Sequence, residues 1–346
     1  MVVPLRGPAG LFAPSCEAVV ALAVGELNAA GGILGREVVA EIVDGGDEPA
    51  RVADEVRRRV DAGAVQAVSG WHISSVREAL VPVVAGRVPY AYPSLYEGGE
   101  TRRGVYCGGE TPDVQIAPAL RWLRDELGVR RWFVVGDDYV WPHLSARAVR
   151  GFARRLGLDV VDEAFVALGA IDLERLVDRV EQASCDGVLM LLVGQDAVDV
   201  NREFARRGLD DRLVRFSPLM EENMLLASGA DATANLFVAS SYFRSMATAG
   251  AIDLLGNYVH LHGAGAPALS NAAESCYEGL HTLAALATRA DCDRLEAWDA
   301  VADGTAYDGP RGTVEFRGRH ARQPVHLAVA DGVDFDVLTS LPALAP

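Results

Sequence analysis

The stretch VQAVSGWHISSVREAL, residues 65–80, contains the two kinds of element from which the chain is built. Its first part, VQAVSG, is a short apolar run that ends at a glycine, which is typical of a buried strand followed by a tight turn. Two serines and an apolar pattern at helical spacing come next, and they predict a helix over residues 75–85. A strand followed at once by a helix is the repeating unit of a parallel, doubly wound sheet.

The same alternation continues along the chain in two series. Further strands are predicted at residues 2–5, 38–44, 88–92, 131–136, 158–168, 186–194, 213–217 and 236–243. Helices dominate residues 249–302, and the tail alternates as paired strands. Ser15 is expected to cap the first helix.

We therefore predict an α/β protein of two doubly wound, parallel-sheet lobes joined by three crossovers. Lobe 1 is expected to hold residues 1–113 and 243–309, and lobe 2 residues 114–242 and 310–346. Open α/β sheets bind ligands at the carboxyl ends of their strands, so we expect a ligand in a cleft between the lobes.

Composition narrows the classes of function. The chain has 346 residues, half of them hydrophobic, and a formal net charge of −16, which disfavours nucleic acid and anionic membranes as partners. All 32 basic residues are arginines, so mechanisms that need a lysine nucleophile, Schiff base or phosphate-loop lysine are excluded. The five cysteines never form C-x-x-C, and we expect buried free thiols rather than disulfides or a zinc site.

The N-terminal residues bear on the compartment. No charged and then apolar leader precedes the first predicted strand, and no apolar run approaches the length that spans a bilayer. The chain is therefore expected to be intracellular, or exported with its leader removed.

Serines follow the third strand, where a ligand is expected. Ser74 or Ser75 begins the next helix, and a helix N-terminus offers unpaired N–H groups and a positive dipole end to a carbonyl or carboxylate oxygen. Two interpretations stay open, because the serine either caps its own helix or contacts a ligand.

The stretch PYAYPSLYEGGE, residues 89–100, follows the fourth strand. Tyr92 and Ser94 alternate with apolar residues, and two prolines make the backbone rigid, so this segment is predicted to form a binding wall. The alternative is an edge loop with buried tyrosines. Glu97 and Glu100 belong to a glycine turn, where a cap or an ion pair is a better expectation than catalysis.

The second series repeats the arrangement. Tyr139 and Trp141 follow the strand that ends at residue 136, and Gln195 and Asp196 follow the strand that ends at residue 194. Asp196 is most simply a helix cap. Successive strand ends nevertheless offer polar and aromatic side chains that a ligand could contact.

No enzyme signature is present, and no catalytic residue, metal or cofactor is expected. His72, His143 and His320 are isolated and are expected to be structural. Cys107 is the remote enzymatic alternative, as the thiol of an amide- or nitrile-processing enzyme. Such enzymes also need a catalytic lysine, and the chain has none.

Eight segments carry a resemblance to a known family: PLRGPAG, ELNAAGGILGREV, SSVREALVPVV, YPSLYEGGE, GGETPDVQIAPALRWL, GDDYVWP, SYFRS and DGPRGTVEF. The chain resembles type I periplasmic solute-binding proteins, in the short-chain amide- and urea-binding branch of the branched-chain amino-acid-binding family. That branch includes the cytoplasmic amide sensor of amidase operons. The resemblance implies a Venus-flytrap fold whose lobes close on the ligand.

The resemblance also implies roles for individual residues. Ser74, with the helix N-terminus that follows, would hold an oxygen of the ligand. Tyr92 and Ser94 would form the first-lobe wall, and Tyr139 and Trp141 would close from the second lobe.

Three positions depart from the pattern of this branch. His72 stands where an aromatic residue is usual, Ser94 where threonine is common, and Trp141 replaces a smaller ring. These changes put acetamide-sized ligands in doubt and allow a different small polar molecule. By its position, His72 is nevertheless predicted to be one of the ligand-binding residues.

We therefore predict a non-catalytic receptor for a short-chain amide, urea or a similar small polar ligand. The alternative is an amino-acid-binding protein of an ABC transporter, in which Asp196, Glu221 or Glu222 would bind the ammonium group, although Glu221 and Glu222 are better explained as a helix start. The expected partner is an ABC permease or, because the chain begins at its first strand, a transcription regulator of a cytoplasmic sensor. A homodimer is left open, and no direct contact with nucleic acid is expected.

Overall fold

The computed structural model describes residues 1–342, which form two compact units. Unit 1 consists of residues 1–109 and 246–324, and unit 2 consists of residues 110–245 and the chain from residue 325. Each unit is a layered α/β structure, and the chain passes between them three times. Residues 310–324 lie in unit 1, whereas the sequence assigned them to the second lobe.

The helices of the described residues alternate with strands through most of the chain. They are α1 (Ala13–Ala29), α2 (Pro49–Asp61), α3 (Ser74–Val84), α4 (Ile116–Leu127), α5 (Val140–Leu156), α6 (Leu173–Gln182), α7 (Gln195–Arg206), α8 (Glu222–Ser228), α9 (Ala249–His262), α10 (Asn271–Ala290) and α11 (Leu295–Ala302). The strands are β1 (Val2–Val3), β2 (Val43–Asp44), β3 (Tyr90–Tyr92), β4 (Val105–Cys107), β5 (Arg131–Asp137), β6 (Asp159–Val166), β7 (Gly187–Leu191), β8 (Val214–Ser217), β9 (Leu236–Ser240), β10 (Ala306–Gly309), β11 (Gly312–Arg317), β12 (His320–Arg322), β13 (Val325–Asp331) and β14 (Asp334–Leu341).

The centre of unit 1 is parallel. β1 pairs with β2, and β3 pairs with β4. The chain before Gly70 lies between these pairs, because Val2 N–H donates to Ser69 O at 2.8 Å and Val68 N–H donates to Pro89 O at 2.9 Å. The strand predicted here is therefore present as extended, hydrogen-bonded chain, and its end lies beside the end of β3.

Antiparallel pairing explains why residues 310–324 belong to unit 1. β10, β11 and β12 pair in succession, and Cys107 N–H at the end of β4 donates to Arg319 O at 2.8 Å. The sequence predicts paired strands in this tail, but strand alternation alone does not tell which sheet an extra pair of strands joins.

Two local predictions need correction. The strand expected over residues 38–44 is reduced to Val43–Asp44. Ser15 does not cap the first helix, since α1 begins at Ala13 and the Ser15 hydroxyl donates to Phe12 O at 3.1 Å. A serine inside the first turn can bond back to a preceding carbonyl, and that local bond replaces the cap.

One helical stretch, residues 8–29, is long and apolar enough to cross a membrane by length and composition, with a mean hydropathy of 1.5. The sequence was expected to hold no such run. Half of the stretch is buried inside the protein, where α1 packs against α9 and α10. A core helix passes the same test, so this feature is weak evidence for a membrane span.

Unit 2 is built on a seven-stranded sheet with the order β14–β13–β9–β8–β7–β5–β6. The strands from β9 to β6 are parallel, and β13 and β14 add an antiparallel edge. β7 and β9 are buried along their whole length because helices cover both faces, which is why their sequences are continuous apolar runs.

A buried group of charged residues joins α10 to the hairpin of unit 1. Arg311, 1% exposed, donates to the carboxylate of Glu274 and, through Nη2, to Ser275 Oγ at 2.6 Å. Glu278 lies one turn further along α10, and its carboxyl faces that of Glu274 and the Tyr307 hydroxyl. Burial raises the pKa of both glutamates. One guanidinium faces two carboxyls here, so the group is neutral when the two carboxyls share one proton.

We expect this proton to make stability depend on pH. The folded state keeps a proton that the unfolded chain releases above about pH 4.3, so the free energy of unfolding falls as the pH rises towards the folded pKa. Glutamine needs no proton, and the free energy of unfolding of Glu278→Gln should therefore fall less than that of wild type as the pH rises from about 5 to about 9. Urea denaturation at both pH values measures the difference.

Glu126→Gln, at an exposed position on α4, is the control and should follow the wild-type pH dependence. Equal loss of stability in wild type and Glu278→Gln would contradict the shared proton.

Candidate functional site

In unit 1, the N-terminus of α3 presents hydrogen-bonding groups that form no hydrogen bond of normal geometry with the described residues. The N-cap residue is Ile73, and no side chain caps the helix, so neither Ser74 nor Ser75 acts as the cap. The buried Ser74 Oγ lies near the Tyr92 hydroxyl but makes no hydrogen bond of normal geometry to it or to another described residue, and the N–H groups of Ser74 and Ser75 have no acceptor there. Unpaired donors at a helix N-terminus are suited to a carbonyl or carboxylate oxygen.

Trp71 lies in the turn before this helix, and the sequence analysis did not select it. Its ring is buried against Phe12, with centroids 4.6 Å apart and an edge-on arrangement. Its indole N–H has no partner among the described residues, although a buried indole N–H usually has one. Its place between Gly70 and Ser74 was the only signal in the sequence.

His72 is held by its own unit through both ring nitrogens. Nδ1 lies 3.1 Å from Val2 O and Nε2 lies 2.6 Å from the Tyr90 hydroxyl. Burial lowers the pKa of His72 to about 3, so the ring is neutral at physiological pH. The side chain has no nitrogen left for a ligand, but its backbone N–H donates to Ser94 Oγ at 3.1 Å.

The tyrosines of residues 89–100 are buried in unit 1. Tyr92 is fully buried, and its hydroxyl donates to His72 O at 3.0 Å. Tyr96 contacts His320 Nδ1 through its hydroxyl at 2.8 Å. Ser94 accepts from His72 N–H, which leaves the Ser94 hydroxyl proton to be donated elsewhere.

Glu97 and Glu100 are bound by one buried arginine. Arg77, on α3, donates to Glu97 Oε1 at 2.5 Å and to Glu100 Oε2 at 2.8 Å, and all three side chains are at most 5% exposed. The guanidinium also lies 5.4 Å from the centre of the Tyr96 ring. The two glutamates therefore fix the loop to the helix that begins at Ser74, and neither is placed as a catalytic acid.

We expect Arg77→Met to destabilise the protein by about 3–5 kcal/mol, because it leaves two buried carboxylates without a partner. Arg87→Met is a matched control, since Arg87 pairs with Asp61 at the surface and should cost less than about 1 kcal/mol. Urea denaturation measures both. Adding Glu97→Gln and Glu100→Gln to Arg77→Met should restore part of the loss, and equal effects of the two arginine substitutions would refute the assignment.

In unit 2, the predicted residues surround the end of β5. Tyr139 is the N-cap residue of α5, and the rings of Tyr139 and Trp141 lie 6.2 Å apart, with Trp141 only 2% exposed. Gln195 Nε2 donates to Asp199 Oδ1 at 2.8 Å, so its amide is engaged within α7. The structure thus brings Tyr139 and Trp141 together, while Gln195 bonds along its own helix.

Asp196 does not cap α7, which was its expected role. Its Oδ2 accepts Gly169 N–H at 2.7 Å, and the side chain contacts Asp137 at the end of β5. Asp137 in turn accepts Val193 N–H at 2.8 Å. Burial and the second carboxyl raise the pKa of Asp137, so the two aspartates share a proton rather than both being ionised. The pair joins β5 to the start of α7.

Several further carboxyls in unit 2 are buried, and Glu222 and Glu110 are two of them. Glu222 begins α8, as the sequence predicted for this segment, and accepts Arg244 N–H at 2.7 Å. Burial raises the pKa of Glu222 to about 8. Glu110, which the sequence analysis did not select, accepts Ser241 N–H at 2.8 Å and the Ser241 hydroxyl. A buried glutamate cannot be told from a surface one by sequence position alone.

Cys107 is not placed as a nucleophile. It is 1% exposed, and burial raises the pKa of its thiol to about 12, whereas attack requires the thiolate. None of the five cysteines is in a disulfide; Cys16, Cys107 and Cys276 are buried, whereas Cys185 and Cys292 are partly exposed, which differs from the expectation that all five are buried. The described residues hold no group of three or more His, Cys, Asp or Glu side chains that could bind a metal.

The two-unit α/β fold and the paired strand ends define a class of protein, the periplasmic binding proteins. The chain belongs to the periplasmic binding protein family, whose model matches residues 1–333. A curated relative is the Leu/Ile/Val-binding protein BraC3 of Rhizobium johnstonii, 26% identical over 194 residues that cover 54% of this chain and 52% of the relative. The match thus spans about half the length of that relative.

Solved structures share the fold over nearly the whole chain. A solute-binding protein of an ABC transporter from Rhodopseudomonas palustris HaA2, in complex with p-hydroxybenzoic acid, has a TM-score of 0.89 at 17% identity and covers 99% of this chain and 96% of its own. LivJ of Streptococcus pneumoniae, in complex with isoleucine, has a TM-score of 0.82 at 17% identity and covers 98% and 97%. These are binding proteins, and no enzyme family is indicated. None of the three is named for an amide or urea, so the narrower resemblance stays a prediction.

Proposed function

We propose that the chain is a non-catalytic solute receptor that binds a short-chain amide, urea or a similarly small polar molecule. The observation that carries this proposal is the N-terminus of α3, where a buried serine hydroxyl and two backbone N–H groups make no hydrogen bond of normal geometry with the described residues. Unsatisfied buried donors cost free energy, so a binding site for an oxygen acceptor is the simplest reason to keep them.

Each unit offers candidate ligand contacts of its own. In unit 1, Ser74, Ser75 and the hydroxyl of Ser94 would donate to the ligand. His72 and Tyr92 are proposed to support these groups, because both ring nitrogens of His72 and the hydroxyl proton of Tyr92 are already bonded, and the Tyr92 oxygen can still accept a hydrogen bond from the ligand. In unit 2, the rings of Tyr139 and Trp141 would cover the ligand. Gln195 and Asp196 remain proposed members of the site through their position at the start of α7.

Ligand binding would act by shifting the population of receptor conformations. In the proposed mechanism, contacts from unit 2 form only in a closed state, so the ligand favours closure by the free energy of those contacts. A change from mostly open to mostly closed needs about 5.5 kcal/mol of differential binding. A few desolvated hydrogen bonds and an aromatic contact are of that order.

An amino-acid ligand is the second candidate, and Glu222 favours it. The Glu222 carboxyl is fully buried, burial raises its pKa to about 8, and no side chain of the described residues forms an ion pair with it. A ligand ammonium group would supply a cation and lower the pKa again. BraC3 is named for leucine, isoleucine and valine, and LivJ holds isoleucine, which is in keeping with this candidate.

The partner follows from the role. A receptor of an importer would deliver its solute to an ABC permease, and a sensor would release or restrain a transcription regulator. We propose one of these two partners, because both would recognise the ligand-bound form of the receptor.

Thermal-shift measurements with acetamide, urea, isoleucine and 4-hydroxybenzoate test the proposal. A ligand at 100 times its Kd stabilises the folded state by about 2.7 kcal/mol, so at least one compound should raise the Tm clearly. Ser74→Ala should weaken the affinity for that compound about tenfold, the effect of one lost hydrogen bond. Ser228→Ala is the control, because Ser228 is also buried with an unpartnered hydroxyl. No Tm shift with any compound, or equal effects of both serine variants, would reject the proposal.

Glu222→Gln separates the two candidate ligands. The affinity for acetamide or urea should stay within about twofold of wild type, because a neutral ligand needs no carboxylate. The affinity for isoleucine should fall by about tenfold or more if Glu222 binds the ammonium group. Isothermal titration calorimetry of wild type, Glu222→Gln and Asp196→Asn with each compound measures these affinities. Loss of acetamide or urea binding in Glu222→Gln would count against the neutral-ligand site.

A further inference from the structure

A glycine occupies a buried position near the middle of α10. Gly279 lies eight residues after the start of this 20-residue helix. A glycine inside a helix destabilises it by roughly 0.5–1 kcal/mol relative to alanine, so a buried helical glycine calls for a compensating reason.

The reason is the close approach of two other segments of unit 1. A Cβ atom on Gly279 would lie 2.1 Å from Ser69 Oγ and 3.2 Å from Pro93 Cγ. The first distance is far below any contact that real Cβ atoms make, and the second is tight. By contrast, Gly256, in the middle of α9, has no atom within 4 Å of such a Cβ.

Both segments lead directly into the proposed binding groups. Ser69 is followed by Gly70, Trp71 and the start of α3, and Pro93 is followed by Ser94. The backbone N–H of Trp71 also donates to Cys276 Sγ on α10 at 3.3 Å, one turn before Gly279. α10 is therefore the surface on which both loops of unit 1 are seated.

We infer that Gly279 is a positioning residue for ligand binding, because its missing side chain sets the distance between the Ser69 and Pro93 loops and the helix behind them. An alanine at this position turns the Ser69 hydroxyl out of its buried rotamer and presses on the Pro93 ring, and through these two residues it shifts the α3 N-terminus and Ser94. The inference rests on the proposed function for its effect on affinity, but its effect on the two loops is independent of any ligand.

Hydrogen–deuterium exchange of the ligand-free protein tests the positioning itself. Gly279→Ala should speed exchange in residues 69–75 and 93–96, while exchange within α10 stays the same or slows, since alanine strengthens the helix. The double variant Ser69→Ala/Gly279→Ala removes the atom that clashes most and should restore most of the protection. Gly256→Ala is the control and should leave both segments unchanged. Wild-type exchange of both segments in Gly279→Ala would overturn the inference.

Affinity measurements then connect the position to binding. With whichever of acetamide, urea, isoleucine or 4-hydroxybenzoate shifts the wild-type Tm, Gly279→Ala should weaken binding about tenfold, and Ser69→Ala/Gly279→Ala should recover most of it. A purely structural role would lower the Tm of Gly279→Ala and leave the affinity unchanged, and that result would overturn the inference. If no compound binds wild type, the proposed function fails. The exchange experiment still decides whether Gly279 determines the position of the Ser69 and Pro93 loops.

Discussion

One hydrogen bond, from the backbone N–H of His72 to Ser94 Oγ, joins the two loops that leave neighbouring strand ends in unit 1. A second bond, from the Tyr92 hydroxyl to His72 O, closes the same connection from the other side. Parallel strands make this arrangement available, because their carboxyl ends emerge at one edge of the sheet. The proposed ligand groups of unit 1 depend on this connection, which keeps them in place before any ligand arrives.

Buried carboxyls whose pKa is raised are the second theme of the structure, and of these Glu274 is paired with Arg311. Burial raises the pKa of Asp137, Asp196, Glu222, Glu274 and Glu278. The formal net charge of −16 counts every carboxyl as ionised, so it overstates the negative charge that the folded chain carries near neutral pH. Arginine supplies all the basic side chains, and most of the arginine–carboxylate pairs lie at the surface, where each contributes little to stability. A buried carboxyl that has no arginine partner is therefore expected to stay neutral by keeping its proton.

The sequence predicted the fold well because the signals for the fold are local. Apolar runs bounded by glycines, and helical periodicity such as that of residues 74–84, can be recognised within a dozen residues. The placement of residues 310–324 could not be predicted in this way, because it depends on a bond between Cys107 and Arg319, more than 200 residues apart in the chain. Local pairing patterns carry no information about such a partner.

The candidate site was predictable at the level of segments and much less at the level of atoms. The segments around Ser74 and Trp141 were selected, but whether a serine caps its helix depends on backbone geometry at Ile73 that sequence does not show. Asp196 was expected to be a cap and instead bonds to Gly169, because the loop after β6 folds back onto α7. Trp71 was missed since a buried aromatic residue normally indicates core, and only its unpartnered N–H distinguishes it.

The ion pairs of Arg77 give this part of the protein a particular mechanical character. Because Glu97 and Glu100 are bound to the same helix that begins at Ser74, the loop and the helix N-terminus cannot change position separately. The conformational entropy of the loop is lost during folding, and none of it has to be lost again when a solute is captured. A solute that reaches unit 1 meets a surface that is already ordered. The rate of its first contact is therefore set by diffusion and orientation, and not by the rate at which a loop becomes ordered.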